Sequence, residues 1–302
     1  MVYSIQNEQF SALCDSKGAE LFSLKDKKGT EYLWQGDPAY WAGRSPHLFP
    51  IVGALKENSY FADGRQYTMG KHGFARHKEF AVRDITANSI AFELTQDEQT
   101  LEMYPYHFTF HVTHTLTQDG FTTRYSVQNT GDTALPFCIG GHVGVNCPLF
   151  PGDSFHEYAV TFPQAVTLTS LYCPNDEPID LSKAVPLPTI GNTLQLSHDL
   201  FENGALIMKD IPVREAMLLH SASGRGVRLI FENFPILALW TMPKRNAPYV
   251  CLEPWHGLPS LQEEAMELTE KAYAIKIAPG HAKELAYKLN VVSPSYKEEP
   301  PA

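Results

Sequence analysis

The sequence predicts an all-β fold, a large antiparallel β-sandwich, from three features. Short apolar runs are separated by polar turns about every 8–12 residues. The clearest run alternates strictly between apolar and polar residues, and only one stretch shows helical periodicity.

Taken in order, residues 9–34 form a meander, with Gly18 and Gly29 in polar turns between apolar runs. Between Tyr106 and Leu116, the residues Phe108, Phe110, Val112 and Leu116 share one face; His107, Thr109, His111, Thr113 and Thr115 share the other. That pattern is a half-buried strand. It turns at Gln118-Asp119-Gly120, returns as Phe121–Gln128, turns again at Asn129–Asp132 and leads to a strand starting near Ala134. Further on, Ala216–His220, Val227–Phe231 and Leu237–Trp240 read as strands, the first two joined by the turn Ser223–Gly226. Leu261, Ala265 and Leu268 recur at helical spacing, so Leu261–Lys271 is expected to be a short helix, one of at most one or two. Residues 174–200, rich in proline and polar groups, are expected to run over the surface. No repeat or composition shift divides the chain. The expectation is one domain over 1–292, followed by a disordered tail, Ser293–Ala302.

The 302 residues include 43% hydrophobic and 19% charged, ample for a core. A net charge of −10 disfavours nucleic acid and acidic membrane surfaces as partners and suits a neutral or cationic small ligand. No apolar run reaches the roughly 20 residues needed to span a bilayer. The start of the chain lacks a basic region followed by an apolar block, so no signal peptide is read and a cytoplasmic location is expected. Five dispersed cysteines (Cys14, Cys138, Cys147, Cys173 and Cys251) fit neither a disulfide framework nor a zinc knuckle.

Three stretches crowd polar groups among glycine, proline and aromatic residues: 43–50 with 71–76, 140–146 and 251–257. Each ends an apolar run with a histidine or a carboxylate, where a scaffold holds a side chain at a cleft. Singly they are ambiguous. His72 and His142, each beside glycine, also suit turns or caps, and Arg44 also suits a structural ion pair. Glu253, between Leu252 and Pro254-Trp255, is less easily read as a solvated surface residue, because a buried carboxylate needs a partner or a task.

Together, His-Gly-Phe-Ala-Arg (72–76), Gly-Gly-His with Asn-Cys-Pro (140–148) and Leu-Glu-Pro-Trp (252–255), in that order, resemble the galactose mutarotase-like superfamily. The similarity is greatest to its bacterial LacX-like branch of aldose 1-epimerases. Arg-Ser-Pro-His-Leu-Phe-Pro-Ile-Val-Gly (44–53) fits the same branch, and the resemblance spans roughly 5–292. It implies a two-layer β-supersandwich with a sugar in a concave cleft. It also implies Glu253 as general base, His142 as general acid, His72 near the ring oxygen and Arg44 at sugar hydroxyls. Phe74 and Trp255 are added as candidate apolar contacts for a pyranose face. The sequence departs from the family at Val143-Gly144-Val145, and at Gly204, where many relatives place an aspartate.

Mutarotation requires a base for the anomeric hydroxyl proton and an acid for the ring oxygen. At ordinary pKa values of about 4.3 and 6.5, a carboxylate and a histidine supply both near neutrality. The scheme uses no cofactor and no metal. The chain is expected to be a monomer or homodimer with a small-molecule sugar as its partner. Two alternatives share the fold: a non-catalytic carbohydrate-binding or sensing protein, and a hexose-phosphate mutarotase drawing on Arg44, Lys71 and Arg76. A metal held by His107, His111 and His114 is disfavoured. On a strand the first two lie about 13 Å apart and the third faces the other way. A nucleophilic hydrolase lacks its G-x-S-x-G elbow, and a glycosidase ordinarily needs two carboxylates where only Glu253 is well placed.

Overall fold

The computed structural model describes residues 1–173 and 177–293. Two antiparallel sheets dominate it. The larger has ten strands, running across the sheet from Thr189–Ile190 through Thr193–Gln195, Tyr158–Thr161, Glu215–His220, Gly226–Ile230, Ala282–Val292, Gly120–Asn129, Phe108–Leu116 and Ser89–Thr95 to Ala81–Ile85. The smaller runs from Leu206–Lys209 through Ile236–Trp240, Tyr249–His256 and Ile139–Gly141 to His47–Leu48, with Val143–Asn146 also paired to Tyr249–His256. A three-stranded meander, Val2–Gln6, Phe10–Asp15 and Glu20–Asp26, precedes them. The fold is the large two-layer antiparallel supersandwich.

The alternation read between Tyr106 and Leu116 is realised. Phe108, Phe110, Val112, His114 and Leu116 are buried, and the residues between them are half-exposed. Those side chains join Tyr125 and Val127, Leu285 and Leu289, and the inward residues Leu237, Leu239, Val250 and Leu252 of the smaller sheet in one continuous apolar cluster. Phe49 sits inside it, ringed by Phe74, Tyr104, Phe108, Phe110 and Phe137 at centroid distances of 4.6 to 6.1 Å. Between the layers His47 and His114 stack, and both place Nε2 on the Ala19 carbonyl oxygen, at 3.0 and 2.8 Å. Their Nδ1 atoms face the Tyr125 and Thr123 hydroxyls, at 2.7 and 2.9 Å. Burial pulls these imidazoles down to about 3 and about 4, so both stay neutral with Nε2 protonated toward the shared carbonyl.

Two expectations change. Leu261–Lys271 is not an α-helix; it holds only the 3-10 turn Leu268–Glu270. Its backbone groups bond to neighbouring chain instead: Gln262 N–H donates to Ile179 O, and Met266 O accepts from Phe61 N–H. A buried Lys271–Glu264 ion pair at 3.1 Å fixes that path. The helical element is Glu98–Met103, capped by Asp97 and Thr100 in a reciprocal capping box. Part of the 174–200 excursion is sheet, because Thr189–Ile190 and Thr193–Gln195 extend the ten-stranded layer. Apart from Ser293, the expected tail lies outside the described residues. No helix among the described residues is long and apolar enough to cross a membrane.

Phe49→Ala is expected to destabilise the protein by about 3–5 kcal/mol, since a fully buried ring would leave a cavity among five others. Urea unfolding of the variant against wild type measures this.

Candidate functional site

The site arises from one strand buried on both faces. In Tyr249–His256 the residues Val250 and Leu252 point into the inter-sheet core, so Cys251, Glu253 and Trp255 emerge on the opposite face. The adjacent chain keeps a single register across a break: Gly140 pairs with Trp255, and Val143 with Leu252. His142 occupies the break, held by its N–H donating to Pro46 O, and so lies opposite Glu253. On the other side Ala238 pairs with Glu253, putting a methyl group where a larger residue would cover the carboxyl. Gly140 is required there, because a Cβ would approach Trp255 Cδ1 to 2.7 Å.

His72 arrives from a loop. Its backbone is left-handed (φ 66°), a conformation that a non-glycine residue holds only when its surroundings impose it. Here the hold is reciprocal: His72 N–H donates to Gly53 O at 2.8 Å, and Gly53 N–H donates to His72 Nδ1 at 3.0 Å. With Nδ1 accepting, the ring proton of the neutral imidazole must lie on Nε2. The next residue, Gly73, is also left-handed and passes so close to Phe49 that a Cβ would sit 2.2 Å from its carbonyl oxygen.

These elements enclose a cleft of about 520 Å³, within the usual range for a small-molecule site. Glu253, His142 and His72 line it together with Trp255, Trp41 and Trp240. His142 Nε2 lies 3.3 Å from Glu253 Oε2, while His142 Nδ1 and Glu253 Oε2 have no hydrogen-bond partner within the protein. Trp41 lies tilted by 31° over the His142 ring at 4.9 Å, and Trp240 meets it edge-on at 5.6 Å. The Trp41 loop is itself anchored by Trp34 Nε1–H donating to Trp41 O.

Water exclusion sets the electrostatics. Burial pushes the Glu253 carboxyl well above its ordinary range, and the nearby Lys71 charge works against that rise. Burial also pulls His142 down to about 3, and the charges of Lys71 and Arg76 add to the fall. His72 is likewise held well below its usual value by burial and by its neighbours His142, Lys71 and Arg76. The two single-proton forms of the Glu253–His142 pair, a carboxylic acid beside an imidazole and a carboxylate beside an imidazolium, both carry no net charge, and burial disfavours any form that does. The ordinary values assumed from sequence do not apply in this floor.

Of the residues singled out in the sequence, Glu253, His142, His72 and Trp255 meet at the cleft. Arg44 and Phe74 do not line it. The Arg44 guanidinium is held by Glu20 at 2.6 Å and lies over the Phe22 ring at 4.0 Å. Phe74 is packed in the core against Phe49, Tyr104 and Phe108. The wall where many relatives were expected to offer an aspartate is formed by Glu202, Asn203, Gly204 and Ala205. Trp41 and Trp240 were missed. Trp240 reads as the last core residue of a strand, and only the position of Ala238 on the Glu253 face shows that it is turned to the cleft.

A family profile described as aldose 1-epimerase matches residues 1–271. The chain is 32% identical to the chromosomal protein LacX of Lactococcus lactis subsp. lactis, over 97% of this chain and 100% of that protein. Among solved structures, it is similar to a galactose mutarotase related enzyme from Lactobacillus acidophilus. The TM-score is 0.91 at 30% identity, over 97% of this chain and 98% of the other. It is also similar to a galactose mutarotase-like protein from Lactobacillus casei ATCC 334. Here the TM-score is 0.90 at 31% identity, over 97% of this chain and all of that one.

A raised carboxyl pKa has a signed consequence for stability. Folded Glu253 binds its proton more tightly than the unfolded chain does. Its contribution is full below the ordinary value of 4.5 and is lost as the pH rises above it. Glu253→Gln removes that loss. The stability of the variant relative to wild type is therefore expected to increase from pH 4.5 upward, by at most about 1.4 kcal/mol per pH unit. Urea midpoints of both proteins, taken across that range, measure the difference.

Proposed function

The chain belongs to the aldose 1-epimerase family, and on that premise we propose that it interconverts the α and β anomers of an aldose by acid–base ring opening and reclosure. The observation that carries this reading is the buried Glu253–His142 contact at the floor of a cleft of monosaccharide size, with His72 across from it.

In the competent form of the pair Glu253 is a carboxylate and His142 an imidazolium. Glu253 takes the proton of the anomeric hydroxyl, the O1–C1 bond becomes a carbonyl, C1–O5 breaks, and His142 gives its proton to O5. The pair ends as carboxylic acid and imidazole, still neutral and still holding one proton. Rotation about C1–C2 presents the other carbonyl face. O5 then attacks C1, His142 recovers the O5 proton, and Glu253 returns its own to O1. No charge enters or leaves the dry floor at any step, which suits a site where a net charge is costly. His72, whose Nε2 carries the ring proton, supplies a fixed neutral donor to a sugar oxygen. Trp255, Trp41 and Trp240 offer apolar surface to the sugar's C–H faces.

One observation favours a second reading, in which the sugar bears a phosphate. Lys71, Arg76 and Lys244 all line the cleft, although the chain as a whole is acidic.

Polarimetry of freshly dissolved α-D-glucose, α-D-galactose and the corresponding hexose 6-phosphates tests both readings. Wild type is expected to accelerate anomer exchange, and Glu253→Gln to slow it by about 10²–10⁴-fold. Binding of sugars without any acceleration would make this a carbohydrate-binding protein and overturn the proposal. If the phosphate reading holds, Lys71→Ala and Lys244→Ala raise KM for the 6-phosphate about tenfold and leave that for the free hexose nearly unchanged; equal effects on both sugars would remove it.

A further inference from the structure

Beyond Glu253 and His142, a third group that the proposed reaction leaves unused lies beneath the cleft floor rather than on its lining. Cys251 precedes Glu253 by two residues, so it emerges on the same sheet face, and it is a free, fully buried thiol. One ligand atom from each of His142, Cys251 and Glu253 lies within 4.8 Å of the other two. His142 Nδ1 and Glu253 Oε2 are buried and make no hydrogen bond within the protein, although Oε2 faces His142 Nε2 at 3.3 Å. Buried polar atoms of this kind call for an explanation, and a bound ion supplies one.

We infer that the floor of the cleft is also a binding site for a borderline-soft divalent metal, Zn²⁺ in particular, held by His142, Cys251 and Glu253, and that the metal blocks the sugar site. Imidazole, thiolate and carboxylate are the donors zinc prefers, and three protein ligands leave a fourth position open toward the cleft. Around a tetrahedral ion with bonds of about 2.0–2.3 Å, ligand atoms lie roughly 3.3–3.8 Å apart. The three ligand atoms all lie within 4.8 Å of one another, so the ion would have to draw the widest separation in by about 1 Å. Charge also balances. A divalent ion with one thiolate, one carboxylate and a neutral imidazole has no net charge, which suits a buried site. His142 and Glu253 line the cleft, so an ion entering it meets them first and Cys251 beneath them. Occupancy by the metal removes both the proton acceptor and the proton donor from the sugar.

The test uses Co²⁺ as an optical probe on metal-free wild type, Cys251→Ala and Cys173→Ala, because Cys173 is a second thiol on the cleft wall. Wild type is expected to bind one Co²⁺ with intense tetrahedral d–d bands and a thiolate-to-cobalt charge-transfer band, and equimolar Zn²⁺ should erase both. Cys251→Ala should lose the charge-transfer band while retaining the wild-type circular dichroism; Cys173→Ala should keep it. If the protein mutarotates sugars, Zn²⁺ should inhibit wild type, with an inhibition constant at least tenfold higher in Cys251→Ala. The spectra need no catalysis, so they stand even if the mutarotase proposal fails. A wild-type protein without a charge-transfer band, or a band lost in Cys173→Ala and kept in Cys251→Ala, would overturn the inference.

Discussion

A carboxyl group cut off from water is the constraint on which the rest of this site depends. Glu253 is 1% exposed, in the middle of a sheet whose other face is the main core. Left ionised and alone there, it would cost several kcal/mol. The surrounding structure limits that cost in two ways. It supplies His142, with which a proton can be exchanged without changing the net charge, and it places Lys71 where its charge favours the carboxylate. Both depend on backbone choices some distance away: the break between Gly141 and Val143 that sets His142 opposite Glu253, and the left-handed turn at His72 and Gly73 that carries Lys71 to the cleft.

The same dependence explains what the sequence disclosed and what it hid. Alternation along a strand is a local property, so the strand Phe108–Leu116 and its turn into Gly120–Asn129 were legible residue by residue. Glu253 was legible because its neighbours are apolar. Leu261–Lys271 misled because three apolar residues at helical spacing fit a buried irregular path as well as a helix, and the choice was made by distant partners at Phe61 and Ile179. Arg44 and Phe74 sit in the same stretches as true cleft residues, but nothing local says which way a side chain turns. Arg44 turns to Glu20, 24 residues earlier in the chain, and Phe74 to the ring of Phe49. Their motifs are close to the site in sequence without contributing those side chains to it.

Trp41 and Trp240 show the complementary limit. Trp41 lies on a loop and Trp240 on a strand buried on both faces; neither has a sequence mark separating core from cleft. Leu239 and Trp240 are adjacent, yet one packs between the sheets and the other meets the ring of His142. The difference is the parity of the strand, which is fixed by its pairing with Tyr249–His256. A shift of one residue in that pairing would exchange the two faces, burying Trp240 between the layers and turning Leu239 to the cleft.

Parity also explains why a thiol lies beneath the Glu253–His142 pair. On a strand buried on both faces, every second residue must be accommodated by the cleft side, whatever its use there. Cys251 reaches that side because Glu253 does, and His142 and Glu253 each place a ligand atom within 4.8 Å of its sulfur. Glu253 Oε2 and His142 Nδ1 make no hydrogen bond within the protein, so the proposed sugar and the proposed metal ion would use the same open atoms. A protein group placed on either atom would oppose both proposals alike, because one open valence serves both.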